Sequence, residues 1–415
     1  MSRIDWTMAH TAWSELKAFA LQPAAAVEVV ASNDCFEVLR HLVRAMTQGS
    51  HLILLDADAA ARERAMAEAI LNSRMCEWAN AAATPSEDAP LSVWRAHWQE
   101  QKDFRLSLFT SGTTASPKHL LHRLPSLVRG VREHLPAKPR IWASAYHPAH
   151  MAGVQLMLQA LWCGDAIWPI DRMGYNCLEK ELKQVPATHL AGTPSFFRLQ
   201  MPFGAPCETV QQVSLGGEPL DEALLARLHF AFPKARVRNI YASTEGGSLF
   251  ASDGLWFTLP PVLKDKVRID GGEICLHATL LGQGALSPKE SEGWFRTGDL
   301  VDPDPENSSR FQIRRRKGDV IHTASYRVDP AVVEAALQSI PGVKLAHVYG
   351  RENPVVGTLV CADLHGEPMS DQKIRAKLAG QLTPYQIPRV YNWLDEPGLT
   401  LSGKLARRKM CSESS

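Results

Sequence analysis

The sequence predicts an α/β protein: a large N-terminal domain of βαβ subdomains with a small β region, then a small α+β C-terminal domain. Three observations carry that reading. From residue 27 to residue 241, short apolar runs alternate with amphipathic stretches at helical spacing, the pattern of a parallel sheet with crossover helices. Past residue 250 the segments shorten and carry turn signals, as in antiparallel β-structure. After a polar, Pro-containing break at 303–309 a new strand–helix alternation begins, which places a domain boundary between residues 313 and 314.

Residues 27–32 (Val-Glu-Val-Val-Ala-Ser) read as a strand. Asn33-Asp34 caps a helix whose apolar positions Phe36, Leu39, Leu42, Val43 and Met46 recur at helical spacing. Gly49 closes that helix and residues 51–56 return as a strand, completing a strand–helix–strand unit. A second helix, rich in Ala, Glu and Arg, is expected over 59–78, and residues 80–92 have loop composition. The apolar run 106–109 reads as a buried strand end that feeds a hydroxyl-rich turn, with a helix expected over 124–134. Residues 141–145 form the next strand, leading to Tyr146-His-Pro-Ala-His-Met-Ala-Gly153 and a helix that Gly164 stops. Strands follow at 188–191, 213–215 and 237–241, then an antiparallel segment at 267–276. The tail reads as strand, helix (330–337), strand (346–349), strand (359–362) and helix (371–382).

Composition narrows the function. The 415 residues, 45% of them hydrophobic, suffice for a large core divided between domains. Lys+Arg 45 against Asp+Glu 44 leaves a formal charge of +1, which offers no field for nucleic acid or an anionic membrane. The eight cysteines are scattered without a C-x-x-C pair, which argues against a zinc ribbon or disulfide framework and fits a reducing cytoplasm. Residues 1–13 lack the apolar core of a secretory signal, and no run approaches the ~18 apolar residues of a spanning helix. A cytoplasmic protein is expected.

Four polar stretches sit where an α/β sheet places ligands, beyond strand ends. Thr110-Ser-Gly-Thr-Thr-Ala-Ser-Pro-Lys118 offers the hydroxyls of Thr110, Ser111, Thr113 and Thr114, open backbone N–H groups and the Lys118 ammonium, the parts that hold a polyphosphate. It is not the G-x-x-x-x-G-K-[ST] loop, because the second glycine and the hydroxyl after the lysine are missing. Gly216-Gly217 in the 214–219 stretch allows close backbone approach to a flat ring. Residues 240–247 end a strand in an aromatic face, hydroxyls and Glu245, a carboxylate suited to a hard cation such as Mg²⁺. Asp299, after Gly298, can accept from vicinal hydroxyls. Each stretch alone reads equally as a plain turn. The pairs His119/His122 and His147/His150 have an i, i+3 spacing, but no third ligand at comparable spacing is apparent and Pro148 disfavours a helix at the second pair. They read as packed or solvated histidines, with His150 better suited to a pocket wall.

Taken in order, these stretches over residues 106–410 resemble the AMP-forming adenylate synthetase superfamily of acyl- and aryl-CoA ligases, nonribosomal peptide synthetase adenylation domains and luciferases. Residues 110–118 resemble its T-S-G-T-T-G-x-P-K phosphate loop, 146–153 its segment ending H-x-x-G, and Gly216-Gly-Glu218 its adenine-edge turn. Residues 241–245 resemble Y-G-x-T-E, and Arg296-Thr-Gly-Asp-Leu300 matches the ribose motif. Residues 315–319 with 326–328 resemble the hinge, and Thr400-Leu-Ser-Gly-Lys404 the terminal lysine motif. The resemblance implies that Thr110, Ser111, Gly112, Thr113, Thr114 and Lys118 hold the β,γ-phosphates of ATP, and that Gly216, Gly217 and Glu218 border adenine while Tyr241 stacks on it. It further implies that Thr244 touches the α-phosphate, Glu245 positions Mg²⁺, Asp299 and Arg316 hold the ribose, and His150 lines the acyl pocket. Lys404 would stabilise the charge where a carboxylate meets the α-phosphorus. Residues 1–313 would form the adenylate-forming (AMP-binding) domain, its first subdomain shortened to 1–107, and residues 314–415 a mobile lid that turns between half-reactions.

The implied activity is activation of a carboxylic acid as acyl-AMP with pyrophosphate release, then transfer to a thiol, that of CoA or of a carrier-protein phosphopantetheine. Residues 142–146 hold no carboxylate to pair a substrate amine, so a non-α-amino acid, aromatic or compact, is expected. Short length and the H-x-x-G form resemble the o-succinylbenzoate- and aryl-acid-CoA ligases. Ala115 and Ala242 replace family glycines, Gly318 occupies the hinge position, and Ser325 stands where a thiol-tunnel glycine is common. A stand-alone enzyme that loads a carrier protein, and a non-catalytic nucleotide-binding module of the same fold, are the alternatives. Lys118, Glu245, Asp299 and Lys404 argue against the module.

Overall fold

The strand–helix–strand unit expected near the N-terminus seeds the first sheet of the computed structural model, which describes residues 6–57, 61–72, 84–110, 118–131, 138–170, 177–284, 293–317, 320–323, 326–353 and 357–397. After helix α1 (Trp6–Ala20), β1 (Val27–Ala31) and β2 (His51–Leu55) pair in parallel around α2 (Cys35–Gln48). Asp34 caps α2 by accepting from the Glu37 N–H at 2.7 Å, and Gly49 ends it at φ 68°, a left-handed conformation that glycine adopts without Cβ strain. Helices α3 (Ala61–Asn72) and α4 (Leu91–Glu100) lead to β3 (Arg105–Thr110), which runs parallel to β2. Strand β4 (Lys118–His122) returns antiparallel to β3, with Thr110 opposite Lys118. The hydroxyl-rich stretch therefore joins the two strands of a hairpin.

Helices α1 and α4 are not announced by the apolar pattern. The buried stripe of α4 is Trp94, His97 and Trp98, and it counts as apolar only because His97 Nε2 reaches the Thr47 carbonyl at 2.8 Å and Trp98 Nε1 donates to Thr47 Oγ1 at 3.0 Å. Trp13 packs edge-on against Trp94 and Trp98, and Trp98 against Trp162 at 5.4 Å, so this core is built from indoles. Helix α5 (Leu124–Val128) ends short of the expected residue 134: Gly130 follows, and Arg129 turns its guanidinium onto the carbonyls of Gly246 and Leu280.

The second sheet has the order β10-β9-β8-β7-β5-β6. It comprises β5 (Ile141–Ser144), β6 (Ala166–Pro169), β7 (His189–Gly192), β8 (Gln212–Gly216), β9 (Arg236–Ser243) and β10 (Gly247–Asp253). All pairs are parallel except β9–β10. Helices α6 (Met151–Cys163), α7 (Cys177–Gln184), α8 (Pro194–Gln200) and α9 (Glu222–Ala231) make its connections.

The expected antiparallel region is a third sheet of order β11-β16-β15-β13-β12, from β11 (Phe257–Thr258), β12 (Val267–Asp270), β13 (Glu273–His277), β15 (Trp294–Pro303) and β16 (Arg310–Arg316), while β14 (Gln283–Gly284) pairs with β4 in the first sheet. The 303–309 break is the turn of the β15–β16 hairpin, tied by Asp304 and Asn307 side chains accepting from Glu306 and Ser309 N–H groups. The division placed between 313 and 314 falls inside β16. Beyond it, β17 (Ile321–Thr323), β18 (Tyr326–Val328), α10 (Pro330–Gln338), β19 (Val343–Asn353), β20 (Gly357–Gly366), α11 (Asp371–Leu378) and β21 (Val390–Trp393) enclose a hydrophobic cluster of their own. Among the described residues, no helix is long and apolar enough to cross a membrane.

Candidate functional site

Three of the residues singled out from sequence meet where the second and third sheets adjoin. Tyr241 on β9 donates its hydroxyl to Asp299 Oδ2 at 2.8 Å, and Arg316 Nε on β16 donates to Asp299 Oδ1 at 2.9 Å. Asp299 and Arg316 face each other in the β15–β16 register. Asp299 is 8% and Tyr241 7% exposed, so the carboxylate is withdrawn from water and held by two donors. Burial, reinforced by the Asp299 charge, pushes the Tyr241 phenol well above its usual range, so it remains a donor. The Tyr241 ring stacks on Phe250, with centroids 4.8 Å apart.

The turn that aims Asp299 is organised by Glu273, which the sequence did not single out. Its Oε1 accepts from the Gly298 N–H at 2.9 Å and its Oε2 from Arg296 Nε at 3.0 Å, while Thr297 Oγ1 accepts from the Asp299 N–H at 3.0 Å. Burial opposes ionisation of Glu273, but the Gly298 and Arg296 contacts outweigh it and hold the carboxyl below its ordinary value. Arg296 thus acts in the turn rather than toward a ligand.

Thr244 and Glu245 lie in the tight turn between β9 and β10. Their carbonyls are taken by other segments: Thr244 O by His122 Nε2 at 2.8 Å, Glu245 O by the Gly282 N–H at 2.8 Å. The turn is thereby tied to β4, the strand that begins with Lys118. The charges of Asp299 and Glu245 both favour the protonated Arg316 guanidinium, against the cost of its burial. The histidines of the 119/122 pair go to different partners, His119 Nε2 lying 2.6 Å from Ser107 Oγ.

Gly216 ends β8 and Gly217 turns the chain at φ 88°. A Cβ on Gly216 would sit 3.2 Å from the Ile240 carbonyl and 3.4 Å from the Tyr146 hydroxyl, so this edge is open only to backbone. The Glu218 carboxylate accepts from the Ser195 N–H at 2.9 Å and from Ser195 Oγ at 3.0 Å, holding the start of α8. Its carboxylate is thus engaged with α8 beside the glycine pair.

His150 N-caps α6 beyond the end of β5, and its side chain is 34% exposed. Gly153 is required one turn later: a Cβ there would lie 2.1 Å from the His147 carbonyl oxygen. The structure supplies the third potential ligand that spacing did not reveal for the 147/150 pair, since Asp56 at the end of β2 lies beside both rings. A single Asp after an apolar run carries no local signal, and only the meeting of two sheets brings it there. Ser111, Gly112, Thr113, Thr114 and Lys404, together with the side chain of Thr110, lie outside the described residues.

An AMP-binding enzyme family model matches residues 18–271. A 2-succinylbenzoate–CoA ligase of Staphylococcus epidermidis is 23% identical over 337 residues, covering 74% of this chain and 69% of the relative. The o-succinylbenzoate coenzyme A synthetase of Bacillus subtilis, solved with ATP and magnesium ion, superposes with a TM-score of 0.66 at 18% identity, covering 97% of this chain and 93% of that one. ATP-bound MatB from Rhodopseudomonas palustris gives a TM-score of 0.68 at 16% identity over 96% of this chain and 90% of that one. These superpositions show a shared fold across both the large N-terminal part and the small C-terminal one.

Proposed function

The chain belongs to the AMP-binding enzyme family, and from that premise we propose that it is an ATP-dependent acid–thiol ligase. It activates a non-α-amino carboxylic acid, aromatic or compact, as acyl-AMP and passes the acyl group to CoA. The observation that carries the nucleotide half is the Tyr241–Asp299–Arg316 arrangement. A buried carboxylate with donors behind it suits vicinal ribose hydroxyls, and the adjacent Tyr241 ring offers adenine a face. Glu245 has the hard oxygen that Mg²⁺ takes when its remaining ligands are phosphates and water, and the ion, when bound, neutralises phosphate charge. The 110–118 stretch is assigned the β,γ-phosphates and Lys404 the reacting centre. A substrate carboxylate oxygen attacks the α-phosphorus and pyrophosphate leaves; the thiol sulfur then attacks the acyl carbon of the mixed anhydride, losing its proton and releasing AMP. What supports the acid class is the naming of the relatives and the absence of a carboxylate from residues 142–146, beside which His150 is assigned to the acyl pocket.

ATP–pyrophosphate exchange across aryl, dicarboxylic and fatty acids tests the proposal. Exchange well above background with an aromatic dicarboxylic acid is expected. Background exchange across the whole panel would overturn it in favour of a non-catalytic nucleotide-binding module. Thioester formation with CoA alone is then expected by mass spectrometry; product only with a phosphopantetheinylated carrier would move the acceptor from CoA to a carrier protein.

A further inference from the structure

Behind His150 lies a polar group that the proposed reaction leaves without a role. Asn33 comes from the β1–α2 turn, Asp56 from the end of β2 and His147 from the segment after β5. His147 is 1% exposed and Asp56 7%. His147 Nε2 lies 2.8 Å from Asn33 Oδ1 and 2.9 Å from Asp56 Oδ2. His150 Nε2 lies 3.7 Å from that same Asp56 oxygen, and the two imidazole centroids are 4.4 Å apart.

Asp56, His147 and His150 have the composition of a metal site, with ligand atoms within 4.8 Å of one another. The hydrogen bonds decide against it. The Ala149 N–H donates to His147 Nδ1 at 3.1 Å, so the ring proton sits on Nε2. A second contact agrees: the Ala57 N–H donates to Asn33 Oδ1 at 3.2 Å, which identifies that atom as an acceptor able to receive only a proton from His147. A protonated Nε2 has no lone pair for a metal, and one carboxylate with one remaining imidazole is an incomplete set.

We propose instead that Asp56 is a positioning residue for His150. The inference rests on the assignment of His150 to the acyl pocket. The His150 backbone is fixed, its N–H bonded to the His147 carbonyl at 3.2 Å and its carbonyl accepting from Val154 at 2.9 Å. What is left to set is the ring. A carboxylate withdrawn from water, its Oδ2 2.9 Å from His147 Nε2 and 3.7 Å from His150 Nε2, favours the ring flip that turns a nitrogen toward it over the flip that turns a carbon there. The opposite edge of the imidazole is then presented to the substrate in one orientation. Asp56 and Asn33 thereby couple the first sheet to a pocket wall carried by the second.

The test is a double-mutant cycle of Asp56→Asn, His150→Ala and the pair, reading KM for the best acid, KM for ATP and kcat. Asparagine keeps the volume while removing the charge. A rise of about 5- to 20-fold in KM for the acid is expected for Asp56→Asn, with KM for ATP within about twofold, and the pair should be no worse than His150→Ala. Additive losses, or a KM raised by His150→Ala but unchanged by Asp56→Asn, would overturn the positioning role. An unchanged KM in His150→Ala would remove His150 from the pocket, and the inference with it. A readout independent of folding in the variants comes from the wild-type protein labelled with 15N-histidine. Its long-range 1H–15N spectrum should show His147 as the Nε2–H tautomer, unchanged by added Zn²⁺. Zinc-induced loss of that pattern would instead make the cluster a metal site.

Discussion

Replacing Asp299 by Asn tests the nucleotide half of the proposal most directly. The substitution exchanges one carboxylate oxygen for an NH2 group where Tyr241 Oη donates at 2.8 Å and Arg316 Nε at 2.9 Å. If Oδ1 becomes the NH2 group it faces the Arg316 donor, and if Oδ2 does, the Tyr241 hydroxyl must turn from donor to acceptor; in either case both contacts lose the charge. Hydrogen bonds to charged groups stabilise by about 1.5–3 kcal/mol each. The Arg316 side chain is 52% exposed, so its share is screened and falls at the low end; buried Tyr241 carries most of the effect. The free protein should lose about 2–3 kcal/mol. ATP should bind about 10- to 100-fold more weakly, because the ribose hydroxyls lose the same charged acceptor. Isothermal titration with ATP and with 2′,3′-dideoxy-ATP separates the two consequences. Wild-type protein should prefer ATP by that factor, whereas Asp299→Asn should bind both nucleotides nearly alike. An undiminished preference for ATP in the variant would refute the ribose assignment, since the loss would then arise from disruption of the Tyr241–Arg316 network alone.

Two further perturbations probe the acyl wall and the small C-terminal part. Gly153→Ala drives a methyl to 2.1 Å from the His147 carbonyl, which only backbone movement relieves; we expect a loss of about 1–3 kcal/mol in urea denaturation and a raised KM for the acid. A wild-type KM would argue that residues 146–150 do not border the substrate. Glu334 on α10 is partly buried and accepts from the Val348 N–H at 2.9 Å. Burial pushes its carboxyl up to about 8 against the pull of that hydrogen bond, with Glu218 and Asp329 adding to the rise and Arg198 opposing it. The folded value lies above the unfolded one, so its contribution is complete below about pH 4.5 and is lost as pH rises through about 8. Glu334→Gln, neutral at every pH and still able to accept from Val348, should match wild type near pH 5 and exceed it by the order of 2 kcal/mol at pH 9. A stability difference that is flat with pH would mean that Glu334 is ionised in the fold.

What was legible in the sequence follows from which signals are local. Asp34 and the glycines at 49 and 164 mark helix ends through their own backbone and side-chain chemistry, and each lies where the pattern placed it. Helix α4 escaped because its stripe includes His97, apolar in effect only after Thr47 satisfies it. The polar stretch 303–309 resembled a linker because a hairpin turn and a linker draw on the same residues, and only the β15–β16 pairing distinguishes them. In the site, Tyr241, Asp299 and Arg316, singled out by a family pattern, are brought together by the structure. Glu273, which supports the Asp299 turn, and Asp56, beside His150, carry no such pattern, since each is a lone carboxylate at a strand end whose meaning comes from a distant partner.

The position of Lys118 gives the hairpin its meaning. It opens a five-residue strand that also holds His119 and His122, three groups able to bear positive charge near a proposed phosphate site. Burial lowers the pKa of His119, and burial takes His122 down to about 4 despite its bond to the Thr244 carbonyl. Both rings are therefore neutral near pH 7, and the charge this strand offers a phosphate is that of Lys118. Neutral His122 still performs a mechanical task, because its Nε2–H ties the strand to the Thr244–Glu245 turn. The lysine assigned to the leaving phosphates and the carboxylate assigned to the cation thus sit on segments joined by the His122–Thr244 hydrogen bond. A displacement of the hairpin relative to the second sheet would break that bond and separate the two groups.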